Sequence, residues 1–451
     1  MQNNRQLLPL VPHHAVASAG AASHGCLYTG DASEARKWMQ KNGGGGEDGV
    51  MALEEGEPLR HAEAVGALTT MIRNAGAAAT AAECRPETSA RMELHLSGFF
   101  SMISSIIKPW TSAIRLGRVL LTPTAPGLFD ERSCMPPDDA PRRRSMPSLS
   151  CHFEPIGPSA CEPANPRLGR FLFNLPEMHR ESLTASDGHM LPKRFRNLGA
   201  FWWVSQLTHR LLRPRRHLRA QLRLAARESG LAAALAARPR RPIIGLHVRH
   251  GDACVTSEKS RTVRSCEPLS VYMEAIQPYA TAVGTSHIFI ATDSEVVLAD
   301  AARLYPQYKL LFMPNVTRSG LTNPVPTEIL DELIKRRMRS GRGVQDTERH
   351  AIMGVLDALL LSRCDVLVGK FSSGLFRASY ALAAARRGGA LPPFVSLDAP
   401  WCADYGVPAG YNDAFPKRGG VSHVQHGVEQ IDPDAGGDGK MRQGGKNVFL
   451  C

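Results

Sequence analysis

The sequence predicts an α/β fold built around a doubly wound parallel sheet. From residue 242 onward, short apolar segments alternate with longer segments of helical periodicity, which is the pattern of strands and crossover helices. The segment Ile243–Val248 is mostly apolar and ends abruptly in Arg249, His250 and Asp252. In open α/β sheets ligands bind just beyond the carboxyl ends of the strands. We therefore expect a ligand site immediately after this strand.

Composition and charge narrow the class of protein. The chain has 451 residues, of which 43% are hydrophobic and 21% are charged, so it is long enough for more than one core. Its net charge of +12 is spread along the chain, without a zinc-finger, RNA-recognition or recognition-helix signature. We expect no nucleic acid as a partner, since an anionic small ligand accounts for the focused part of this charge.

Shifts in composition divide the chain into four parts. Residues 1–92 contain four consecutive glycines and little periodicity, so we expect them to be disordered or weakly ordered. Residues 93–240 are predicted to form a first α/β domain, with a Pro/Arg-rich insertion at 122–165. Residues 241–400 are predicted to form a second, more regular, Rossmann-like domain, and the Gly-rich residues 401–451 a tail.

The elements of the second half follow from the length and composition of each segment. A helix beginning at Phe201 carries Trp202 and Trp203, which we expect in the core rather than as a sugar-stacking platform. Strands are predicted at Ile243–Val248, His287–Ala291, Lys309–Met313, Val366–Gly369 and Pro393–Leu397, and helices at Leu269–Tyr279, Ser294–Leu304, Thr347–Arg363 and Ser373–Arg387.

Right-handed crossovers place every carboxyl strand end on one edge of the sheet. That edge collects the polar residues His247, Arg249, Asp252, Asp293, Lys370, Ser372 and Ser373. The Ser372–Ser373 turn also begins a helix, and backbone N–H groups at a helix N-terminus bind anions. Together with Arg249, this turn is expected to grip a diphosphate.

Cysteine usage and hydropathy bear on the compartment. The ten cysteines include no C-x-x-C pair, so zinc and thioredoxin-type chemistry are not expected. Cys254 and Cys266 are predicted to pair if the protein passes through the secretory pathway, since they bracket a polar loop. No segment approaches the roughly 18 apolar residues of a membrane span, and no membrane anchor is visible.

Several ordered blocks of this sequence resemble one enzyme family. FWWVSQL, PIIGLHVRHGD, SHIFIATDSEVVLADAARLYPQYKLLF, GVLDALLLSRCDVLVGKFSSGLFRASY and FVSLDAP are similar, in order and spacing, to the eukaryotic α-1,6-fucosyltransferases and their rhizobial relatives. The resemblance implies a GT-B-like fold of two Rossmann-like domains facing a cleft. It also implies GDP-fucose as donor, no cofactor or metal, inversion at the anomeric carbon, a glycan or glycoprotein acceptor, and a Golgi or secretory location.

Individual roles follow from the matching positions. The resemblance implies that Arg249 holds the β-phosphate, that His247 and Asp357 lie against the guanosine, and that Ser372 and Ser373 contact phosphate. Asp293 and His250 are expected to complete the donor site. An aspartate suits guanine because its two oxygens can accept from N1–H and N2–H.

The sequence also departs from the family. Where the family has a second arginine this chain has His250, and where the family has a lysine in the following loop it has Ala253. The base that accepts the proton of the acceptor hydroxyl is expected in this loop. Glu258 is favoured, with Asp252 and His250 as alternatives, because Asp252 could instead pair with Arg249.

Three functions remain open from sequence. The first is an inverting fucosyltransferase that uses GDP-fucose. The second is a protein O-fucosyltransferase-like enzyme or another GDP-sugar transferase. The third is a catalytically impaired homologue that binds nucleotide without sugar turnover, which the departures at His250 and Ala253 keep in play.

Overall fold

The computed structural model describes residues 61–77, 89–90, 98–122, 129, 149–157, 191–237, 239–250, 267–316, 318, 344–371, 373–387, 392–397, 440–443 and 446–450. The helices are α1 His61–Ala77, α2 Phe99–Arg115, α3 Gly199–Leu211, α4 Arg216–Glu228, α5 Leu231–Ala236, α6 Leu269–Val283, α7 Glu295–Leu304, α8 Val344–Leu361 and α9 Gly374–Arg386. The strands are β1 Ser89–Ala90, β2 Val119–Leu120, β3 Ile243–Val248, β4 His287–Thr292, β5 Lys309–Leu311, β6 Val366–Gly369, β7 Phe394–Ser396, β8 Lys440–Gln443 and β9 Lys446–Leu450.

A five-stranded parallel sheet forms the centre of the second half. Its strand order is β5-β4-β3-β6-β7, so the first strand in the chain lies in the middle and later strands are added on both sides. The predicted alternation of strands and helices is therefore confirmed. Strands β4 and β5 lie on one side of β3, and β6 and β7 lie on the other side. The boundary between β3 and β6 is therefore the topological switch point, which is where doubly wound sheets bind ligands.

The two faces of the sheet are buried against different helices. Ile244, Leu246 and Val248 of β3 share a buried cluster with Val366 and Val368 of β6 and with residues of α6. Alternate residues point to opposite faces of a strand. On the other face, a Cβ atom built on Gly245 would lie 2.7 Å from a methyl carbon of Leu361 in α8, so only glycine fits there.

Helices α2 and α3 pack directly against the helices of the sheet. Phe201 of α3 lies over Tyr380 of α9, with ring centroids 5.3 Å apart. Trp203 is completely buried, and its indole N–H donates a 2.8 Å hydrogen bond to Thr111 of α2. The prediction that the Trp pair belongs to the core is confirmed, since Trp202 is also buried.

Order begins earlier in the chain than the composition of residues 1–92 suggests. Residues 61–77 form α1, whose Ala64 and Leu68, one helical turn apart, are fully buried. Arg210 of α3 also donates a hydrogen bond to Thr69 of α1. The burial of this short apolar face stabilises the helix, and a face this short in an Ala- and Gly-rich segment gives no clear periodicity in the sequence. In the region predicted to be a tail, β8 and β9 form an antiparallel pair.

An aspartate fixes the amino ends of the two central strands. Asp365, next to β6, accepts hydrogen bonds of 2.7 and 2.9 Å from Arg240 and a 2.9 Å bond from the N–H of Ile243, the first residue of β3. Asp365 as a whole residue is 3% exposed, and a buried carboxylate is tolerated where several donors satisfy it. These bonds set the relative position of β3 and β6 at the edge opposite the predicted ligand site.

A buried histidine connects the first half of the chain to α8. His152 Nε2 lies 2.6 Å from a carboxylate oxygen of Glu348 in α8, and His152 Nδ1 lies 3.0 Å from Nε2 of His217 in α4. Burial is the main cause that lowers the pKa of His152, against the opposing effect of Glu348. A neutral imidazole can donate from Nε2 to Glu348 while accepting from His217 at Nδ1.

The two cysteines that the structure describes are in different states. Cys151 is disulfide-bonded, and Cys364 is a free, buried thiol whose pKa is raised by desolvation. Among the described helices, none has the length and apolar composition needed to cross a bilayer.

Gly245→Ala should destabilise the fold. The added methyl group would lie 2.7 Å from Leu361 and 2.8 Å from Cys364, and overpacking of this kind costs about 1–3 kcal/mol. Chemical denaturation of both proteins measures the difference. Gly66→Ala in α1 is the matched control, since no atom lies within 4 Å of its added methyl group and alanine favours helix by up to about 1 kcal/mol. Equal stability of Gly245→Ala and the unmodified protein would contradict the packing described here.

Candidate functional site

The candidate site lies at the carboxyl ends of β3, β4 and β6, at the switch point of the sheet. Leu246 of β3 pairs with Val368 of β6, so Arg249 and Lys370 follow the ends of neighbouring strands. Thr292 ends β4 beside Val248, which brings Asp293 to the same edge. The structure thus brings together five of the predicted edge residues: His247, Arg249, Asp293, Lys370 and Ser373.

His247 is a buried, neutral imidazole. The residue is 4% exposed, and its ring stacks on Phe376 of α9 with an interplanar angle of 15°. Desolvation, with smaller contributions from the charges of Arg249 and Lys370, lowers the pKa of His247 to about 3. Its Nδ1 atom is buried and has no hydrogen-bond partner among the described residues. A buried polar atom in this state costs free energy unless a ligand satisfies it.

Arg249 leaves the end of β3 beside the carboxylate of Asp293. Arg249 Nη1 lies 3.9 Å from Asp293 Oδ2, and the Arg249 side chain is 29% exposed. The other oxygen of Asp293 accepts a 2.8 Å hydrogen bond from the backbone N–H of His250. Asp293 therefore positions the Arg249–His250 turn, and Arg249 remains accessible to an anion.

His250 forms a contact that the sequence did not predict. Its Nε2 atom lies 2.7 Å from the carbonyl oxygen of Glu267, so this nitrogen carries the hydrogen and donates it. Burial is the largest cause that lowers the pKa of His250, with Asp293 opposing it and Lys370 adding to it. A lowered pKa keeps His250 neutral at pH 7, so it does not replace the charge of an arginine there.

Lys370 forms an ion pair at the same edge. It is 7% exposed, and its ammonium group contacts the carboxylate of Glu267, immediately before α6. The backbone carbonyl of Lys370 accepts a 3.0 Å hydrogen bond from the N–H of Ser373. The turn from β6 to α9 therefore has a buried cation at its start and a helix N-terminus at its end.

Ser373 is the N-cap residue of α9, and its hydroxyl forms no capping hydrogen bond. The first turn of α2 lies beside it: a Cβ atom built on Gly374 would lie 3.0 Å from Cβ of Phe100. Two helix N-termini therefore approach each other at this edge, and both carry partial positive charge. This arrangement strengthens the predicted anion site.

Asp357 lies on α8 and is buried with Arg318 nearby. Desolvation raises the pKa of Asp357 to about 7, with Arg318 lowering it and Asp293 raising it. Its Oδ1 atom is buried and has no hydrogen-bond partner among the described residues. Arg318 is held by carbonyl oxygens, donating from Nε to Thr292 at 3.0 Å and from Nη2 to Met313 at 2.8 Å.

Some predicted residues lie outside the part of the chain that the structure describes. These are Asp252, Glu258 and Ser372 of the site, and Cys254 and Cys266 of the expected disulfide. Within the described residues, no group of three or more His, Cys, Asp or Glu side chains is arranged to hold a metal ion.

Sequence reasoning missed Arg318, Glu267 and the first turn of α2. Arg318 lies in the segment after β5 that interrupts the alternation of strands and helices, so no periodicity pointed to it. Glu267 stands next to Pro268 and reads as part of the start of a helix. The position of Phe100 beside α9 depends on packing between distant segments, for which the sequence has no local signal.

Comparison with known sequences identifies a related family over part of the chain. Residues 190–324 match the family described as alpha-(1,6)-fucosyltransferase N- and catalytic domains. An alpha-(1,6)-fucosyltransferase of Drosophila melanogaster is 30% identical over 212 residues, which cover 46% of this chain and 29% of the relative. The chain therefore spans less than a third of the length of that relative. His247, Arg249, His250 and Asp293 fall within the matched segment, whereas Asp357 and Ser373 follow it.

Comparison with solved structures finds the NodZ alpha-1,6-fucosyltransferase. The crystal soaked with GDP-fucose has a TM-score of 0.37 at 16% identity, covering 65% of this chain and 92% of that chain. The crystal grown with GDP has a TM-score of 0.35 at 16% identity, covering 64% and 91% of the two chains. The structure described as NodZ from Bradyrhizobium has a TM-score of 0.35 at 15% identity, covering 65% and 91%. Superpositions at this level support no inference about this chain.

If Asp357 accepts from guanine, as the family resemblance implies, affinity for GDP should depend on the protonation of Asp357. Desolvation raises its pKa to about 7, so Asp357 titrates near neutral pH, and a protonated carboxyl cannot accept from both guanine donors. We expect the affinity to fall as pH drops below 7, approaching tenfold per pH unit. Calorimetric titration with GDP between pH 5.5 and 8 measures this. Asp357→Asn, which retains the other titrating groups, should bind more weakly and with a flatter pH dependence. An unchanged slope in that variant would exclude the carboxylate as its source.

Proposed function

Because residues 190–324 relate this chain to the α-1,6-fucosyltransferases, we propose that it is a glycosyltransferase that transfers fucose from GDP-fucose to a glycan acceptor. In this reaction the bond between the anomeric carbon and the β-phosphate oxygen breaks. A new bond forms between that carbon and the acceptor hydroxyl oxygen. The hydroxyl proton passes to a base, and GDP leaves with the electron pair of the broken bond.

The observation that carries this proposal is a pair of unsatisfied buried atoms beside an accessible cation. His247 Nδ1 and Asp357 Oδ1 lack partners among the described residues, and Arg249 leaves the same region of the sheet edge. Buried polar groups are normally hydrogen-bonded. A guanosine diphosphate supplies ring and ribose groups for the first two residues and negative charge for the third.

We assign the donor contacts accordingly. Arg249 binds the β-phosphate and stabilises the charge that grows on it as the glycosidic bond breaks. Asp357 accepts from guanine N1–H and N2–H, with Arg318 favouring its ionised form. Ser373 and Ser372 contact phosphate at the N-terminus of α9, where the hydroxyl of Ser373 makes no capping bond. Asp293 orients Arg249 through their contact.

The base belongs to the loop that follows β3 in this proposal. Glu258 is the preferred candidate, with Asp252 and His250 as alternatives. His250 is neutral at pH 7, which a base requires, but its Nε2 donates to Glu267, so only Nδ1 could accept a proton. Because Nε2 of His250 is already hydrogen-bonded, Glu258 or Asp252 is the better candidate for the base.

The wider features of the proposal are the GT-B arrangement, in which residues 93–240 supply the acceptor side, inversion at the anomeric carbon and independence of metal ions. Cys151 is disulfide-bonded, and disulfides persist in oxidising compartments. This supports a location in the secretory pathway, consistent with Golgi glycoprotein acceptors.

A donor screen tests the function directly. Purified protein is offered GDP-fucose, other GDP sugars and UDP sugars with a mixture of glycan acceptors, and released nucleotide is measured. We expect release from GDP-fucose and its loss in Arg249→Ala, since a charge acting on the transition state is removed. Arg303→Ala is the control because Arg303 is exposed and pairs with Asp300 on α7. Tight GDP binding without turnover would instead select the impaired homologue, and release from another GDP sugar the alternative transferase.

Glu258→Gln should separate binding from chemistry. If Glu258 is the base, the variant should retain GDP affinity and lose turnover by roughly 100-fold or more, the usual contribution of general-base catalysis. Calorimetry with GDP and the rate of fucose transfer are the two measurements. Asp252→Asn is the parallel variant, and normal turnover in Glu258→Gln with loss in Asp252→Asn would move the role to Asp252.

A further inference from the structure

The edge of the sheet formed by the carboxyl ends of the strands holds a second cation, Lys370. This residue has no role in the donor contacts assigned above. We propose that Lys370 is a second diphosphate-binding residue, which meets the anion from the side of the sheet opposite Arg249 and whose carboxylate counterion in the structure is Glu267. This inference rests on the proposed function for the identity of the nucleotide, but its anion-binding part stands on geometry.

The alternation of side chains places the two cations on opposite sides of one edge. Val366 and Val368 of β6 face α6, as do Leu246 and Val248 of β3. Lys370 lies two residues after Val368, and His250 lies two residues after Val248, so both fall on the face that packs against α6. Both contact Glu267 at the start of α6. Arg249 lies two residues after His247 and so falls on the opposite face, where the ring of His247 stacks on Phe376 of α9. An anion lying across the edge is therefore approached by Arg249 from one side and by Lys370 from the other.

Neighbouring strands are about 4.8 Å apart, and Arg249 and Lys370 follow the ends of neighbouring strands. Both side chains are long, so a diphosphate lying across the two strand ends would be within reach of each cation. The turn that begins at Lys370 ends at Ser373, so the ammonium group and the N-terminus of α9 belong to the same short segment.

The charges around Lys370 favour the replacement of Glu267 by an anionic ligand as its partner. Its side chain is 9% exposed and that of Glu267 is 24% exposed, so the cation is the more deeply buried member of the pair. Replacing a buried ion pair by apolar residues is often neutral or stabilising, so the pair by itself is weak evidence for a structural role. His250 and His247 are neutral, and Arg318 donates to the carbonyl oxygens of Thr292 and Met313. Lys370 is thus the cation on the α6 side of this edge among the described residues.

Substitutions that change one charge at a time test the proposal. Lys370→Met should weaken the binding of GDP and of inorganic pyrophosphate by at least tenfold in calorimetry. Glu267→Gln should strengthen both several-fold, since the competing carboxylate is removed. Lys309→Met is the matched control: it removes the same charge from the first residue of β5, at the opposite edge of the sheet, and should change neither affinity more than twofold.

The double variant Glu267→Gln/Lys370→Met guards against simple misfolding, because it removes both charges of this ion pair together. It should unfold at a temperature close to that of the unmodified protein and bind GDP as weakly as Lys370→Met. GDP affinity in the double variant equal to that of the unmodified protein would overturn the proposal. The proposal would also be overturned if Glu267→Gln weakened GDP binding as much as Lys370→Met does. The ion pair would then be needed only to maintain the local structure.

The same experiment separates this inference from the proposed function. Binding of GDP that is unaffected by Lys370→Met refutes the role of Lys370 and leaves the fucosyltransferase proposal standing. Binding of pyrophosphate that depends on Lys370 supports Lys370 as an anion-binding residue. If GDP and UDP are bound equally in the same experiment, the proposed recognition of guanine by Asp357 is refuted.

Discussion

The parallel pairing of β3 with β6 is the constraint on which the site depends. These strands are distant in sequence, and their registration places Arg249 and Lys370 at neighbouring strand ends. Asp365 holds the opposite ends together by accepting from Arg240 and from the N–H of Ile243. The strand order reverses direction between β3 and β6, and doubly wound sheets bind ligands at such a switch point.

Close packing under the sheet extends this constraint to individual side chains. Gly245 allows Leu361 and Cys364 to lie against β3, which positions the end of α8. Gly369 likewise admits the ring of Phe376, whose carbon atoms would lie within 3 Å of an added Cβ, and this ring stacks on His247. Two glycines on adjacent strands therefore determine where the helices that carry Asp357 and Ser373 stand relative to the ligand edge.

The electrostatics of the edge arise from burial rather than from the number of charges. Desolvation lowers the pKa of His247 and His250 and raises that of Asp357, so all three favour their neutral forms more strongly than in water. The lasting positive charge comes from Arg249, Lys370 and Arg318, each near a carboxylate. A diphosphate bound at this edge, as proposed, would compete with the carboxylates of Asp293 and Glu267 for Arg249 and Lys370.

Sequence alone determined the order of strands and helices from residue 242 onward, the burial of the Trp pair and the placement of Arg249, Asp293 and Ser373 on one edge. These followed from local periodicity and from the rule that parallel strands share an edge, which need no knowledge of distant contacts. The order of α1 within residues 61–77, the contact of Phe100 with α9, the pairing of Lys370 with Glu267 and the approach of Arg318 to Asp357 were decided by the tertiary structure. Each joins segments far apart in the chain, and the burial and charge that such contacts create do not exist until the chain has folded.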